Sequence, residues 1–149
     1  MIKKFLIINL FLFSFFWTNS YSNNNTYMSL KNNKVNVRYG PGLDYPIKFV
    51  FNKKNYPVEI IDQKENFRKI LDFKKNSGWI HRSQLKKSSS FITLDTVILF
   101  SDGTKFSRPI AKIESGRLLN KKKCNLNWCR VETGEYKGWV LKENLWGLN

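Results

Sequence analysis

Apolar and polar residues alternate over short segments of this chain, and beyond its N-terminus no segment repeats apolar residues at helical spacing. Ile47, Phe49 and Phe51, for example, recur at every second position. A period of two is typical of a strand with one buried face. Clusters of Gly, Asn, Pro and Lys separate the segments, as turns do. The pattern predicts an all-β protein, with at most one or two helical turns near 82–85 and near 142–145.

The segment 35–85 recurs in a diverged form at 97–145. Gly-Trp-Ile at 78–80 and Gly-Trp-Val at 138–140 each begin seven residues before a leucine. Each copy contains several short strands spaced about 8 to 12 residues apart, which is typical of a barrel or a sandwich. The repeat therefore predicts two small β-barrels in tandem.

A barrel of this size has a small core, so most of its large apolar side chains are needed for packing. Trp79 and Trp139 each stand between a glycine and a β-branched residue. We predict that both tryptophans belong to the barrel core and are not ligand platforms. The glycine before each one indicates a close approach between strands.

The N-terminus has the three parts of an export signal. Lys3 and Lys4 give a positive start, 5–17 is predominantly apolar, and small residues follow at Ser20 and Ser22. The apolar part is shorter than the roughly 20 residues that span a bilayer. We predict cleavage after Ser20 or Ser22, the alternative being an uncleaved anchor.

The chain is thus divided into a signal peptide (1–22), a first barrel (27–88) and a second barrel (92–149). The predicted localisation is exported, in the periplasm. Cell-wall polymers, membrane head groups and exported proteins are available there as partners, whereas nucleic acid is rarely present. The mature chain is predicted to have no integral membrane span.

The formal net charge is +15, and 20 of the 26 basic residues are lysines. Fixed phosphate recognition favours the planar, bidentate arginine side chain. The chain also has 17 asparagines and one alanine, which indicates a general compositional bias. The charge is therefore weak evidence for a polyanionic partner.

Cys124 and Cys129 are the two cysteines of the chain. If Leu126 and Asn127 form a two-residue turn, the cysteines face each other across a hairpin. An oxidising compartment permits them to pair. We interpret them as a structural disulfide, because a redox or zinc site needs a different spacing or further ligands.

The residues at 35–42, Val-Asn-Val-Arg-Tyr-Gly-Pro-Gly, followed by Tyr-Pro-Ile at 45–47, resemble the opening of bacterial SH3-like (SH3b) domains. Phe-Arg-Lys-Ile at 67–70 stands where that family has W-x-[RK]-[VI], and Gly-Trp-Ile-His at 78–81 matches its closing strand. The second copy departs from the pattern at 101–103, where Ser-Asp-Gly replaces the Gly-Pro turn. The resemblance implies a strongly bent barrel of five to seven strands and non-catalytic binding of peptides or peptidoglycan.

The first turn carries the candidate ligand-binding residues Arg38, Tyr39, Asp44 and Tyr45. Loops on a rigid scaffold commonly carry binding groups, and tyrosine suits sugar rings and peptide backbones. In the alternative interpretation, Arg38 pairs with Asp44 or Asp72 to fix the turn, and the tyrosines only cap the barrel.

We predict that the protein is not an enzyme and has no metal or cofactor. The only histidine, His81, lies in a predicted strand, and no Ser, Asp or Cys has a recognisable nucleophile setting. The turn acids Asp62, Glu65 and Asp72 have no evident apolar pocket that would raise a pKa.

The predicted function is therefore a cell-envelope binding or scaffolding module that recognises peptide, peptidoglycan or an envelope protein. One alternative is a charge-driven adaptor that holds anionic envelope surfaces or acidic proteins through scattered lysines. Another is a structural subunit of an envelope complex, in which the exposed aromatic residues are buried against a neighbour.

Overall fold

A computed structural model describes residues 26–148 of the chain. The predicted export signal at 1–22, with Ser20 and Ser22, lies outside the described residues. Two seven-stranded sheets follow one another along the chain, and every pairing between strands is antiparallel. No helix within 26–148 is long and apolar enough to cross a membrane. The prediction of an all-β fold is confirmed.

The strands of the first sheet are β1 (Thr26–Leu30), β2 (Val35–Arg38), β3 (Ile47–Phe51), β4 (Pro57–Lys64), β5 (Phe67–Leu71), β6 (Ser77–His81) and β7 (Leu85–Lys87). Their order in the sheet is β3-β2-β6-β5-β4-β1-β7. A one-turn 3₁₀ helix at Arg82–Gln84 connects β6 to β7, close to where the sequence predicted it.

The strands of the second sheet are β8 (Ser90–Thr93), β9 (Val97–Phe100), β10 (Pro109–Ile113), β11 (Leu118–Cys124), β12 (Trp128–Thr133), β13 (Tyr136–Leu141) and β14 (Leu145–Trp146). Their order in the sheet, β10-β9-β13-β12-β11-β8-β14, repeats that of the first sheet. The 3₁₀ helix at Lys142–Asn144 corresponds to the first one, so the two copies share the whole topology.

Each sheet encloses its own apolar core, contributed by the inward positions of its strands. The first core contains Leu30, Val35, Val37, Val58, Ile70, Ile80 and Leu85. The second core contains Phe91, Val97, Leu99, Ile113, Leu119, Cys129, Val131, Val140 and Leu145.

The tryptophans of the two Gly-Trp triplets lie outside both cores. In β6, Gly78 and Ile80 are buried whereas Trp79 between them is half-buried, and β13 repeats this pattern at 138–140. Successive side chains of a strand point to opposite faces of the sheet. The glycine and the β-branched residue therefore face inward, and Trp79 and Trp139 face outward. The prediction that these tryptophans form the barrel core is wrong, because it weighed ring size above strand alternation.

The two copies pack against each other through polar side chains. Only Ser88 and Ser89 separate β7 from β8. The Oγ atoms of Ser29 and Ser90 lie 3.1 Å apart in a buried contact, and the Ser89 amide donates to Ser29 Oγ at 3.0 Å. The Oγ atom of Ser90 also donates to the main-chain oxygen of Asn55. These bonds link β1 and the loop after β3 to the start of the second copy.

An aromatic cluster covers the same junction. Trp146 of the second copy meets two rings of the first copy edge-on, Tyr27 at 5.1 Å and Phe73 at 5.8 Å between centroids. Gly147 follows in the left-handed region, at φ +104°, where an added Cβ would lie 3.3 Å from the Pro57 ring. The copies thus share an interface that contains both hydrogen bonds and ring contacts.

Candidate functional site

The loop at 39–46, between β2 and β3, is braced by Arg38. The Nη1 atom of Arg38 donates to the main-chain oxygen of Tyr45 at 2.7 Å. The Tyr45 ring lies against Gly40, where an added Cβ would come within 2.2 Å of the ring. Within residues 26–148, Arg38 forms no ion pair with Asp44 or Asp72. The arginine therefore fixes the turn, as one interpretation expected, but through a carbonyl and not through a carboxylate.

The other candidate residues of this loop are accessible. Tyr39 is 63% exposed, and Asp44 and Tyr45 are exposed as well. The Lys48 ammonium lies 5.6 Å from the centroid of the Tyr39 ring and donates to the Ser77 carbonyl at 2.9 Å. The two tyrosines are therefore free to contact a ligand on a loop that is held in one conformation.

A concave surface of about 400 Å³ lies beside this loop, and we call it the first-copy cleft. The buried Val35 and Val37 face the core, so Asn36 and Arg38 form the outward wall of β2. Leu43 projects from the loop and is 72% exposed. The cleft is lined by Lys34, Asn36, Arg38, Leu43, Phe67, His81 and Gln84.

The floor of the first-copy cleft is built from Phe67 and His81. These residues are directly opposite each other on β5 and β6, and their rings meet edge-on at 5.2 Å. The Ser83 amide donates to His81 Nδ1 at 3.3 Å, and Ser83 Oγ lies 2.7 Å from the same nitrogen. Because Nδ1 accepts the amide bond, the neutral imidazole carries its proton on Nε2. His81 thus presents a hydrogen-bond donor on its other ring nitrogen.

The second copy has a cleft of about 520 Å³ at the corresponding place, which we call the second-copy cleft. It lies between the loop after β9, the β11–β12 hairpin and the second 3₁₀ helix. Phe106 is 100% exposed and Leu126 is 86% exposed. The lining residues are Gly103, Thr104, Lys105, Phe106, Leu126, Asn127, Trp128, Leu141, Lys142 and Glu143.

The two clefts differ in chemistry although they occupy equivalent positions. Trp128 replaces Phe67, and Leu141 replaces His81. The position of Arg38 is taken by Phe100, whose ring meets Trp128 edge-on at 5.7 Å. Both clefts contain cationic side chains. The first-copy cleft adds the His81 imidazole, whereas the second-copy cleft has more apolar and aromatic surface beside Lys105 and Lys142.

Of the four predicted ligand residues, Arg38 lines the first-copy cleft. Tyr39, Asp44 and Tyr45 lie on the loop but do not line it. Leu43 was not predicted, because only the aromatic and charged residues of the loop were considered as ligand-binding residues. The lining could have been predicted from the outward-facing positions of β2, combined with a large apolar residue in a polar loop. Phe106 carries the same signal in the second copy.

Cys124 and Cys129 form a disulfide, as predicted. They are paired in register at the end of the β11–β12 hairpin. The turn is closed by the Asn125 amide, which donates to the Trp128 carbonyl at 2.9 Å. The Asn125 side-chain oxygen accepts from the Trp128 amide at 2.8 Å. Leu126 and Asn127 are therefore the central turn residues, and the exposed Leu126 is carried on a braced hairpin.

The comparison with protein families agrees with this architecture. The profile of a family described as bacterial SH3 domain matches residues 31–87 and again 95–147. No curated protein matches the chain significantly. Among solved structures, NlpC2 from Trichomonas vaginalis is similar at 16% identity and a TM-score of 0.38, over 83% of this chain and 48% of that one. NlpC1 from the same organism is similar at 16% identity and a TM-score of 0.37, over 81% and 45%. The chain spans about half the length of these two proteins.

Proposed function

Because the chain belongs to the bacterial SH3 domain family and carries the domain twice, we propose that it is a non-catalytic binding module of the cell envelope. Its ligand is a peptide or the peptide part of peptidoglycan, and its place of action is the periplasm. The disulfide is compatible with such an oxidising compartment.

One observation carries the proposal: both copies form a cleft at the same place, next to exposed apolar side chains. Leu43 projects beside the first-copy cleft, and Phe106 and Leu126 project beside the second. Large apolar side chains that cluster on a surface mark interaction sites. Because the loops that carry Leu43 and Leu126 are internally braced, a ligand meets a preformed surface, which lowers the entropic cost of binding.

The test is co-sedimentation of the full chain with purified peptidoglycan sacculi. We expect Phe106→Ser with Leu126→Ser to weaken binding at least ten-fold, and Leu43→Ser to weaken it several-fold. Ile61→Ser is the matched control, because Ile61 is an exposed apolar residue outside both clefts. Unchanged binding by both sets of cleft variants would contradict the proposal. Tyr39→Ala and Tyr45→Ala then test whether the loop aromatics extend the surface.

A charge-driven adaptor is the second candidate, and one observation favours it. Lys121, Lys122 and Lys123 are consecutive exposed residues. The lysine cluster is typical of a turn, but the structure places it on β11. Glu132 pairs with Lys122, and this hydrogen bond lowers the pKa of the Glu132 carboxyl. Binding through scattered lysines collapses between low and physiological ionic strength, whereas binding in an apolar cleft does not. The salt dependence of the sedimentation therefore separates the two.

The absence of catalysis is part of the proposal and has its own test. The full chain, incubated alone with purified peptidoglycan, is expected to release no soluble fragments above a buffer control. Fragments that appear at a rate proportional to protein concentration would show that the protein is a hydrolase and would contradict the proposal.

A further inference from the structure

An aromatic cleft of about 590 Å³ opens where the two copies meet, and we call it the junction cleft. It is separate from both clefts described above. Phe49, Phe51, Tyr56 and Phe73 of the first copy line it, and Gly116 of the second copy closes it. The Phe51 and Tyr56 rings stack at 5.2 Å, and Phe49 meets Phe51 edge-on at 5.2 Å. Apolar clefts at domain junctions with a few polar groups are typical small-molecule sites.

A buried carboxylate lies in this cleft. Asp72 is 3% exposed and lines the junction cleft. It accepts two hydrogen bonds from Asn76, one from the main-chain amide at 2.7 Å and one from Nδ2 at 3.0 Å. A carboxylate has about four acceptor positions, so capacity remains for a further donor. Within residues 26–148 Asp72 forms no ion pair, although buried charges are usually paired.

The negative potential of Asp72 reaches the aromatic wall. Burial, followed by the charge of Asp72, raises the pKa of the Tyr56 hydroxyl to about 12. Lys53 and Lys74 also line the cleft, but both are exposed at its rim. The charges of the site are therefore sorted by depth, with a carboxylate inside and ammonium groups outside.

We propose that the junction cleft binds a lysine-type amino acid, one that carries an ammonium group on an alkyl stem and a free carboxylate. The ammonium passes along the rings that line the cleft and pairs with Asp72, because aromatic faces and a buried carboxylate both attract a cation. The alkyl stem packs on the rings, and the ligand carboxylate stays at the rim beside Lys53 and Lys74.

The second copy shows that the fold does not require this lining. Strand register places Ala111 opposite Leu99, as Phe49 is opposite Val37. The Leu30 amide donates to the Tyr56 carbonyl in the first copy. In the second copy the corresponding bond runs from the Thr93 amide to the Arg117 carbonyl, so Arg117 occupies the position of Tyr56.

By the same correspondence, Thr133 and Gly134 stand where the first copy has Asp72 and Phe73. The second copy also has a cleft at this place. Its carboxylates, Glu114 and Glu135, and its aromatic ring, Tyr136, are all exposed, and none of the matched positions supplies a buried carboxylate. The proposal therefore requires one lysine-type site per chain.

The test is a calorimetric titration of the full chain with Nα-acetyl-L-lysine. We expect saturable binding at one ligand per chain. The Nα,Nε-diacetyl derivative, which lacks the ammonium, is expected to bind at least ten-fold more weakly. The Nα-acetyl-L-lysine amide, which lacks the carboxylate, is expected to bind several-fold more weakly. Equal binding of the acetyl and diacetyl compounds, no binding of Nα-acetyl-L-lysine, or two sites per chain would overturn the proposal.

Variants locate the site. Asp72→Asn is expected to weaken binding of Nα-acetyl-L-lysine at least ten-fold, whereas Thr133→Asn, its matched control in the second copy, leaves binding unchanged. If Asp72→Asn does not fold, Tyr56→Leu against Arg117→Leu decides the matter, with a several-fold loss expected for Tyr56→Leu alone. Undiminished binding in the folded first-copy variant would refute the assignment. The result is independent of peptidoglycan sedimentation, because the junction cleft shares no lining residue with the other two clefts.

Discussion

Arg68 and Cys129 stand at matching positions of the two copies, just after the hairpin of each barrel. Arg68 folds back on its hairpin, where its Nη1 atom donates to the carbonyls of Glu65 at 3.1 Å and Phe67 at 2.9 Å. Cys129 is buried in the second core and is joined to Cys124. The two copies thus brace the same hairpin by different means, one with charge-assisted hydrogen bonds and the other with a covalent bond.

Replacing both cysteines by serine tests the brace of the second copy. Closure of so short a loop stabilises the folded state by about 2 kcal/mol on the chain-entropy estimate. We expect Cys124→Ser with Cys129→Ser to lower the free energy of unfolding by about that amount. Denaturant unfolding measures the loss. Leu43-dependent binding to peptidoglycan serves as the control, because no residue of this hairpin lines the first-copy cleft. An unchanged unfolding midpoint would contradict a stabilising role.

The raised pKa of Tyr56 predicts that the protein loses stability at alkaline pH. Burial and the charge of Asp72 raise the pKa of Tyr56 to about 12. The folded state therefore holds this proton more tightly than the unfolded chain, whose tyrosines titrate near 10. Its stabilising contribution is complete below about pH 10 and is lost as the pH rises toward 12. Tyr56→Phe removes the titrating group.

The near-ultraviolet absorbance of tyrosinate, taken as the wild type minus Tyr56→Phe, is expected to rise near pH 12. The stability of Tyr56→Phe is expected to fall less steeply above pH 10. All other titrating groups are common to both proteins, so the difference between them isolates Tyr56. A difference curve centred near pH 10 would show that the cleft does not hold Tyr56 neutral.

At the scale of the strand, the Gly-Trp triplet is explained by close approach. A Cβ on Gly138 would lie 2.5 Å from the Phe100 carbonyl oxygen, and one on Gly78 would lie 2.4 Å from Val37 Cγ1. The glycine lets β13 and β6 cross over β9 and β2 without a side chain between them. The outward face of β13 is then free for Trp139, whose ring lies 5.4 Å from the Lys123 ammonium.

The substitution Gly138→Ala tests this close approach. The new methyl group meets a backbone oxygen, which cannot move without disturbing the strand, so we expect a loss of about 1–3 kcal/mol in the free energy of unfolding. Gly103→Ala is the matched control, because an added Cβ there meets its nearest heavy atoms at 3.5 Å, an ordinary contact. Similar thermal midpoints for the two variants would argue against the requirement for glycine in β13.

The sequence repeat and the alternation of apolar residues predicted the strands and their order better than they predicted the clefts. The alternation of Val35 and Val37 about Asn36 corresponds to an observed strand, and the repeat predicted the shared topology. Trp79 was misplaced because large aromatic side chains also pack on outer barrel faces, where half of the ring is covered. The burial of Asp72 could not be predicted, because this residue and its hydrogen-bond partner Asn76 lie in a polar loop whose sequence resembles an exposed turn. Sequence patterns report the faces of a strand, whereas clefts depend on contacts between distant elements.

At the scale of the molecule, the tandem arrangement is one continuous structure rather than two linked barrels. The two-residue connection gives the copies little freedom, and Asn55 Nδ2 donates to Asn120 Oδ1 across the junction at 3.0 Å. The junction cleft is lined by the first copy except at Gly116, where the second copy contributes one edge. This gives the repeat a consequence beyond the duplication of a binding surface.

The aromatic contact at the junction predicts coupled unfolding of the copies. Trp146 joins Tyr27 and Phe73 of the first copy, and Phe73 also forms a wall of the junction cleft. Trp146→Ala is expected to lower the free energy of unfolding by about 2 kcal/mol, because this ring is half-buried. A fully buried tryptophan would cost roughly 3–5 kcal/mol. The substitution should also split a single calorimetric transition into two, because it weakens the interface while each copy keeps its own core.

Trp139→Ala is the control. It removes another half-buried ring from the outer face of the second copy and should leave one transition. Two transitions in both variants, or in neither, would mean that cooperativity between the copies does not depend on the ring of Trp146.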